Sequence, residues 1–109
     1  MLILEENNNL EVIMQLIMFG GDAKSNAMEA IAAAKSGNLE LAKIKISNAE
    51  ASLKQAHHSQ TEMLTKEAQG ENIEVSLLMV HAQDHLMTSI SFIDLAKEIV
   101  EIYTRINEK

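Results

Sequence analysis

The stretch VHAQDHLMTS, Val80 to Ser89, decides how this chain is read. Read as a helix, it turns through roughly 100° per residue. His81, Asp84, His85 and Thr88 then fall on one face, within about a third of a turn of one another. Extended along the helix, the same face takes in Leu77, Leu95, Ile99, Ile102 and Ile106 at alternating steps of three and four residues. That spacing predicts a buried apolar stripe, interrupted by two imidazoles and a carboxylate. Buried polar groups need partners, and buried charges need them more. The rest of the chain reads as support for this cluster.

The helix that carries the cluster is expected over Ile73 to about Glu108, with Asn72 as its N-cap. Between Val75 and Ile90 it is apolar almost all round, with only the His81 face breaking the ring. Such a helix must be covered on all sides. Two further helices of one subunit cover only part of the circumference, so a homo-oligomer centred on this helix is expected.

Two more helices precede it. The second is expected from Leu39 to about Gln69, on a seam of Leu39, Ala42, Ile46, Ala49, Leu53, Ala56, Gln60 and Met63. Gln60 is a polar intruder on that seam; His57 beside it reads as a packed histidine and His58 as a surface one. The first helix begins its apolar pattern at Leu10, Val12, Ile13, Leu16 and Ile17. Gly20-Gly21 should weaken or kink it, and Ala23, Ala27, Ala30 and Ala34 then recur on a small-residue seam. Residues 1–8 are polar and expected to fray. Gly37 suits a left-handed C-terminal position, Asn38 an N-cap, and Gly70 a second helix stop.

Composition narrows the class. At 109 residues the chain is one domain. With no proline, four glycines and almost no aromatic residues, it favours long helices over an aliphatic core. The expected fold class is all-α, an antiparallel three-helix bundle. No cysteine means no disulfide, thiolate metal site or cysteine nucleophile. The start MLILEENNNL lacks the basic region and apolar length of a signal peptide, and no apolar run spans a bilayer. A cytoplasmic location is expected. The net charge of −7, with no basic patch, argues against nucleic acid.

Three chemical uses fit the His81 face. His81 and His85 at i and i+4, with Asp84, can bind a transition metal. One histidine can serve as general base, although no serine or cysteine nucleophile accompanies it. His81 can itself be the nucleophile, because a neutral imidazole nitrogen can attack phosphorus. His85 and Thr88 would then donate to the phosphoryl oxygens. A purely structural reading stands beside these, in which the two histidines hydrogen-bond each other, Asp84 and backbone. No glycine-rich phosphate loop and no Glu-x-x-His pair for a di-iron bundle is present.

The stretch VSLLMVHAQDHLMTS, Val75 to Ser89, resembles the signature of enzyme IIA of the lactose/cellobiose (chitobiose) class of the bacterial sugar phosphotransferase system. The resemblance continues through AHHSQT, residues 56–61, and the Ala-rich helix to Gly20-Gly21, covering about Val12 to Glu101. It implies a three-helix subunit assembled as a trimer. It implies that His81 is phosphorylated, accepting a phosphoryl group from HPr and passing it to a cysteine of the cognate IIB component. Contact with the membrane would be indirect, through the IIC component. It also implies that Asp84 meets its symmetry mates around a divalent ion, Mg2+, on the threefold axis, with no cofactor for the chemistry itself. With Asp84 on such an axis, His81 lies roughly 60° to one side and Gln83 roughly 100° to the other. Gln83 of one subunit is therefore expected to face His81 of the next. The alternative from another class is a non-enzymatic metal-binding or assembly bundle using the same face.

Overall fold

The computed structural model describes the backbone of residues 2–108 and the side chains of residues 9–108. Three helices follow one another: α1 (Leu2–Lys35), α2 (Leu39–Ala68) and α3 (Leu77–Asn107). Among the described residues there is no strand. The frayed start expected at residues 1–8 involves Met1, which lies outside the described residues, and side chains that are likewise outside them.

Both turns are built by glycine. Gly37 has φ +87° and Gly70 φ +93°, a region that L side chains rarely adopt. At the end of α1, Gly37 N–H donates to Ala34 O at 3.0 Å and Asn38 N–H to Ala33 O at 2.9 Å. At the end of α2, Gly70 N–H donates to Glu67 O at 3.0 Å and Glu71 N–H to Lys66 O at 3.1 Å. Each pair is a Schellman motif that satisfies the last carbonyls of its helix. Asn38 then caps α2 as expected, its Oδ1 accepting from Leu41 N–H at 3.1 Å.

The start of α3 corrects the sequence reading. Asn72 does not cap it; Ser76 does, its hydroxyl oxygen accepting from Met79 N–H at 3.1 Å. Residues 71–76 have no regular secondary structure. Ile73, expected inside the helix, instead packs against the core at that end of the bundle. Burying it there outweighs one more helical turn.

The cross-helix contacts fix the directions. Ser59 donates to Gln15 and Lys45 pairs with Glu29, so α1 and α2 are antiparallel. Gln60 bonds Gln83 and Lys97 pairs with Glu50, so α2 and α3 are antiparallel. α1 and α3 therefore run the same way, and the bundle is a rod of 62 × 20 × 20 Å.

The core is stacked in three layers. Ile13, Leu16, Ala56, Met63, Met79, Ala82 and Leu86 fill one. Ala23, Ala27, Ala49, Ile93 and Ala96 fill the middle. Ala33, Ala34 and Ala42 close the third, with Leu39, Val100 and Tyr103 packed on them. The expected seams of α1 and α2 are present, and α2 buries Ala42, Ala49, Ala56 and Met63 at heptad spacing. Alanine at these positions lets the helix axes approach closely.

On α3 the buried stripe is not the expected one. Met79, Ala82, Leu86, Ser89, Ile93 and Ala96 face the subunit core. Of the expected stripe, Leu77, Leu95, Ile102 and Ile106 lie on the outer side, with Leu77 87% exposed, and Ile99 is half-buried. Both stripes repeat at three and four residues. The small residues Ala82, Ser89 and Ala96 win the inner face because only they allow three helices to pack this tightly.

Candidate functional site

α3 carries the histidines on the outer stripe beside α1. His81, Asp84 and Thr88 are exposed, and His85 is half-buried. The two imidazoles meet edge to face, with ring centroids 4.6 Å apart and planes at 86°. This is the i, i+4 approach expected of the spacing.

His85 is positioned by α1. A Cβ added to Gly20 would stand 3.3 Å from the carbonyl carbon, Cβ and carbonyl oxygen of His85. A glycine is therefore what lets α1 lie directly on the His85 backbone. One turn on, the fully buried Ser89 hydroxyl is within bonding range of both Gly20 O, at 2.9 Å, and His85 O. This tie locks the two helices at the level of the histidines. Gly20-Gly21 does not break α1, which runs unbroken through the pair, because the packing on α3 outweighs the weak helix propensity of glycine.

His85 Nδ1 is buried and has no hydrogen-bond partner among the described residues. Burial pushes the His85 pKa below its ordinary value, the nearby Lys24 ammonium and His81 push it the same way, and Asp84 pulls against them. His85 is thus held as a neutral imidazole against the edge of His81. The Asp84 carboxylate has no ion-pair partner among the described residues.

The remaining candidates are dispersed. The Thr88 hydroxyl donates to Asp84 O at 2.7 Å, and Thr88 stands two helical turns, about 10.5 Å, along the axis from His81. Gln83 is half-buried on the α2 side, where its Oε1 accepts from Gln60 Nε2 at 2.6 Å and its Nε2 meets Met79 Sδ at 3.9 Å. Gln60 thereby finds the partner that a polar seam residue requires. His57 is exposed, not packed, because the α2 seam passes through Ala56, Ser59 and Gln60 instead. His58 is on the surface, as expected, 3.9 Å from Glu62. The sequence singles out neither Ser89 nor Lys24 as a site residue, and Gly20 only as a weak point of α1. Ser89 is one turn beyond His85, and that spacing was the available signal.

An exposed imidazole supported by a second, neutral one is a nucleophile's setting, and sequence relatives identify the system. Residues 11–104 match the family described as PTS system, Lactose/Cellobiose specific IIA subunit. The chain belongs to this family. It is 52% identical to the lichenan-specific phosphotransferase enzyme IIA component of Bacillus subtilis, over 91% of this chain and 90% of that one. It is 51% identical to the cellobiose-specific EIIA component of Lactococcus lactis, over 82% and 77% of the two chains. The crystal structure of a cellobiose-specific enzyme IIA from Bacillus anthracis superposes with a TM-score of 0.90 at 40% identity, covering 93% of each chain. The IIA(chitobiose) subunit of the Escherichia coli phosphotransferase system, solved in complex with HPr, superposes with a TM-score of 0.78 at 37% identity, covering 90% of this chain and 95% of that one. This lactose/cellobiose-type IIA subunit is a phosphotransferase-system component of sugar transport, and no helix of its described residues is long and apolar enough to cross a membrane.

Proposed function

We propose that the subunit is a cytoplasmic phosphohistidine carrier in the uptake of a β-linked disaccharide. A ring nitrogen of His81 attacks the phosphorus presented by HPr, and the bond to the donor breaks as the new N–P bond forms. The reverse displacement hands the phosphoryl group to the cognate IIB component. The exposure of His81 beside the half-buried His85 carries this reading. An in-line attack needs an accessible nitrogen, and a neutral second imidazole can donate to the phosphoryl oxygens. Thr88, two turns away, serves the site less directly. The solved complex of the related chitobiose subunit with HPr supports the choice of donor.

The trimer belongs to the same reading. Leu77, Val80, Met87, Leu95, Ile102 and Ile106 leave about half or more of each side chain in water, all on or beside the His81 face. Three parallel copies of α3 meeting on that face would bury them. Asp84 would then converge with its two mates, and three carboxylates repel unless a cation neutralises them. The donor set fits a hard divalent ion such as Mg2+, because each copy supplies an unpaired carboxylate. Its part would be charge neutralisation on the axis. A Gln83 from the adjacent subunit would face His81. Its Oε1 is taken by Gln60 and one amide N–H meets Met79 Sδ, which leaves the other N–H for a phosphoryl oxygen.

The test is incubation with phosphoenolpyruvate, enzyme I and HPr. The subunit should gain acid-labile phosphate, His81→Ala should abolish it, and His85→Ala should slow it without abolishing it. Labelling that survives His81→Ala and is lost in His85→Ala would exchange the two roles. Sedimentation equilibrium at micromolar concentration should report a trimer; a well-folded monomer would refute the assembly.

A further inference from the structure

Phosphorylation places close to two negative charges on His81, in a subunit that already carries a net charge of −7. A cationic side chain near the histidines would offset this charge, and α3 offers none at this level. α1 does. Lys24 stands one turn after Gly20, on the same face of α1, and that face lies on α3 between His85 and Ser89. Because α1 and α3 run the same way, the backward tilt of helical side chains carries Lys24 from the level of Ser89 toward His85 and His81. Lys24 is half-buried, and no carboxylate among the described residues forms an ion pair with it.

We propose that Lys24 is a charge-compensating residue of the phosphorylated state, its ammonium stabilising the phosphoryl group on His81 from the flank of α1; this rests on the reading of His81 as the phosphorylated residue. The Gly20 contact and the Ser89 tie hold this flank of α1 against His85. In the free subunit no carboxylate among the described residues pairs with the ammonium, and the phosphoryl group gives it an opposite charge to meet. Lys24 therefore favours the loaded carrier over the empty one.

The experiment compares the intact subunit with Lys24→Met and Lys24→Arg, using phospho-HPr as donor. Lys24→Met keeps the length of the side chain and removes its charge. The equilibrium partition of phosphate from HPr to the subunit should fall about tenfold, the effect of one unit charge held near the phosphoryl group at intermediate dielectric. In 31P NMR the pKa of the phosphohistidine should rise by about one unit, a change that a merely structural role of Lys24 would not produce. Lys24→Arg should restore both. Should Lys24→Met fail to fold, the wild-type protein gives the answer: the Lys24 Nζ resonance should shift on phosphorylation while that of Lys35 stays. Unchanged partition and 31P titration in a folded Lys24→Met, or an unmoved Lys24 resonance, overturns the proposal. Label found on a residue other than His81 overturns the reading beneath it as well, so the two failures are distinct.

Discussion

Two adjacent glycines in α1 give a controlled comparison. Gly20 and Gly21 both sit in mid-helix, where replacement by alanine stabilises by roughly 0.5–1 kcal/mol through backbone entropy. At Gly21 a Cβ meets nothing within 4 Å, so Gly21→Ala should show that full gain. At Gly20 it meets the carbonyl carbon, Cβ and carbonyl oxygen of His85 at 3.3 Å. Two of those three atoms are helix backbone and cannot swing aside, so α1 must lift from α3 by a few tenths of an ångström. Overpacking of that kind costs about 1–3 kcal/mol. The propensity term is common to both variants, so the difference between them isolates the overpacking. It should amount to about 1–3 kcal/mol, with Gly20→Ala the less stable, or at least about 4 °C of melting temperature. Urea unfolding of both variants at one protein concentration is the assay, since assembly would otherwise shift the midpoint. Gly20→Ala should also slow labelling by phospho-HPr, because the lifted contact is the one that seats His85. If Gly20→Ala stabilises as much as Gly21→Ala, α1 does not position His85.

Three further outcomes follow from the site. His85 has its folded pKa below its unfolded value, so the unfolded chain binds more protons in the window between them. Its contribution is intact above about pH 6.5 and is lost as the pH falls toward the folded pKa, so the urea midpoint should drop across that window and His85→Gln should flatten the drop. Asp84→Leu should give a trimer that resists chelators, since replacing a buried ionic cluster with apolar groups is often neutral or stabilising. Asp84→Ala should weaken the trimer in sedimentation by leaving a cavity, and a wild-type trimer indifferent to chelators would exclude a structural metal. Gln83→Ala should slow phosphoryl transfer, and mixing Gln83→Ala subunits with His81→Ala subunits should restore some complete sites. No recovery in mixed trimers would place the amide's role inside its own subunit.

The helices, their turns and the His81–His85 pair were legible because each rests on local chemistry. Gly37 and Gly70 act through their own backbone, Asn38 through a side chain that reaches only three residues on, and an i, i+4 spacing sets a distance whatever surrounds it. The start of α3 was not legible, because Asn72 and Ser76 are both competent caps. The choice between them is made by the burial of Ile73 against another helix. Which face of α3 turns toward its own subunit was not legible, for a deeper reason. Hydropathy weights bulky residues, so Leu77, Leu95, Ile102 and Ile106 outscore Ala82, Ser89 and Ala96. Close helix packing selects by size, and there the small residues win. The two preferences differ because they answer to two partners. Alanine and serine face the helices of the same chain, where axes must nearly touch. Leu77, Leu95, Ile102 and Ile106 face outward, on the side that the proposed trimer would cover. On this view the outward placement of that stripe is an argument for the proposed assembly. With Ala82, Ser89 and Ala96 turned inward and Leu77, Leu95, Ile102 and Ile106 left on the face that bears His81, the proposed nucleophile would lie where a second subunit comes to meet it.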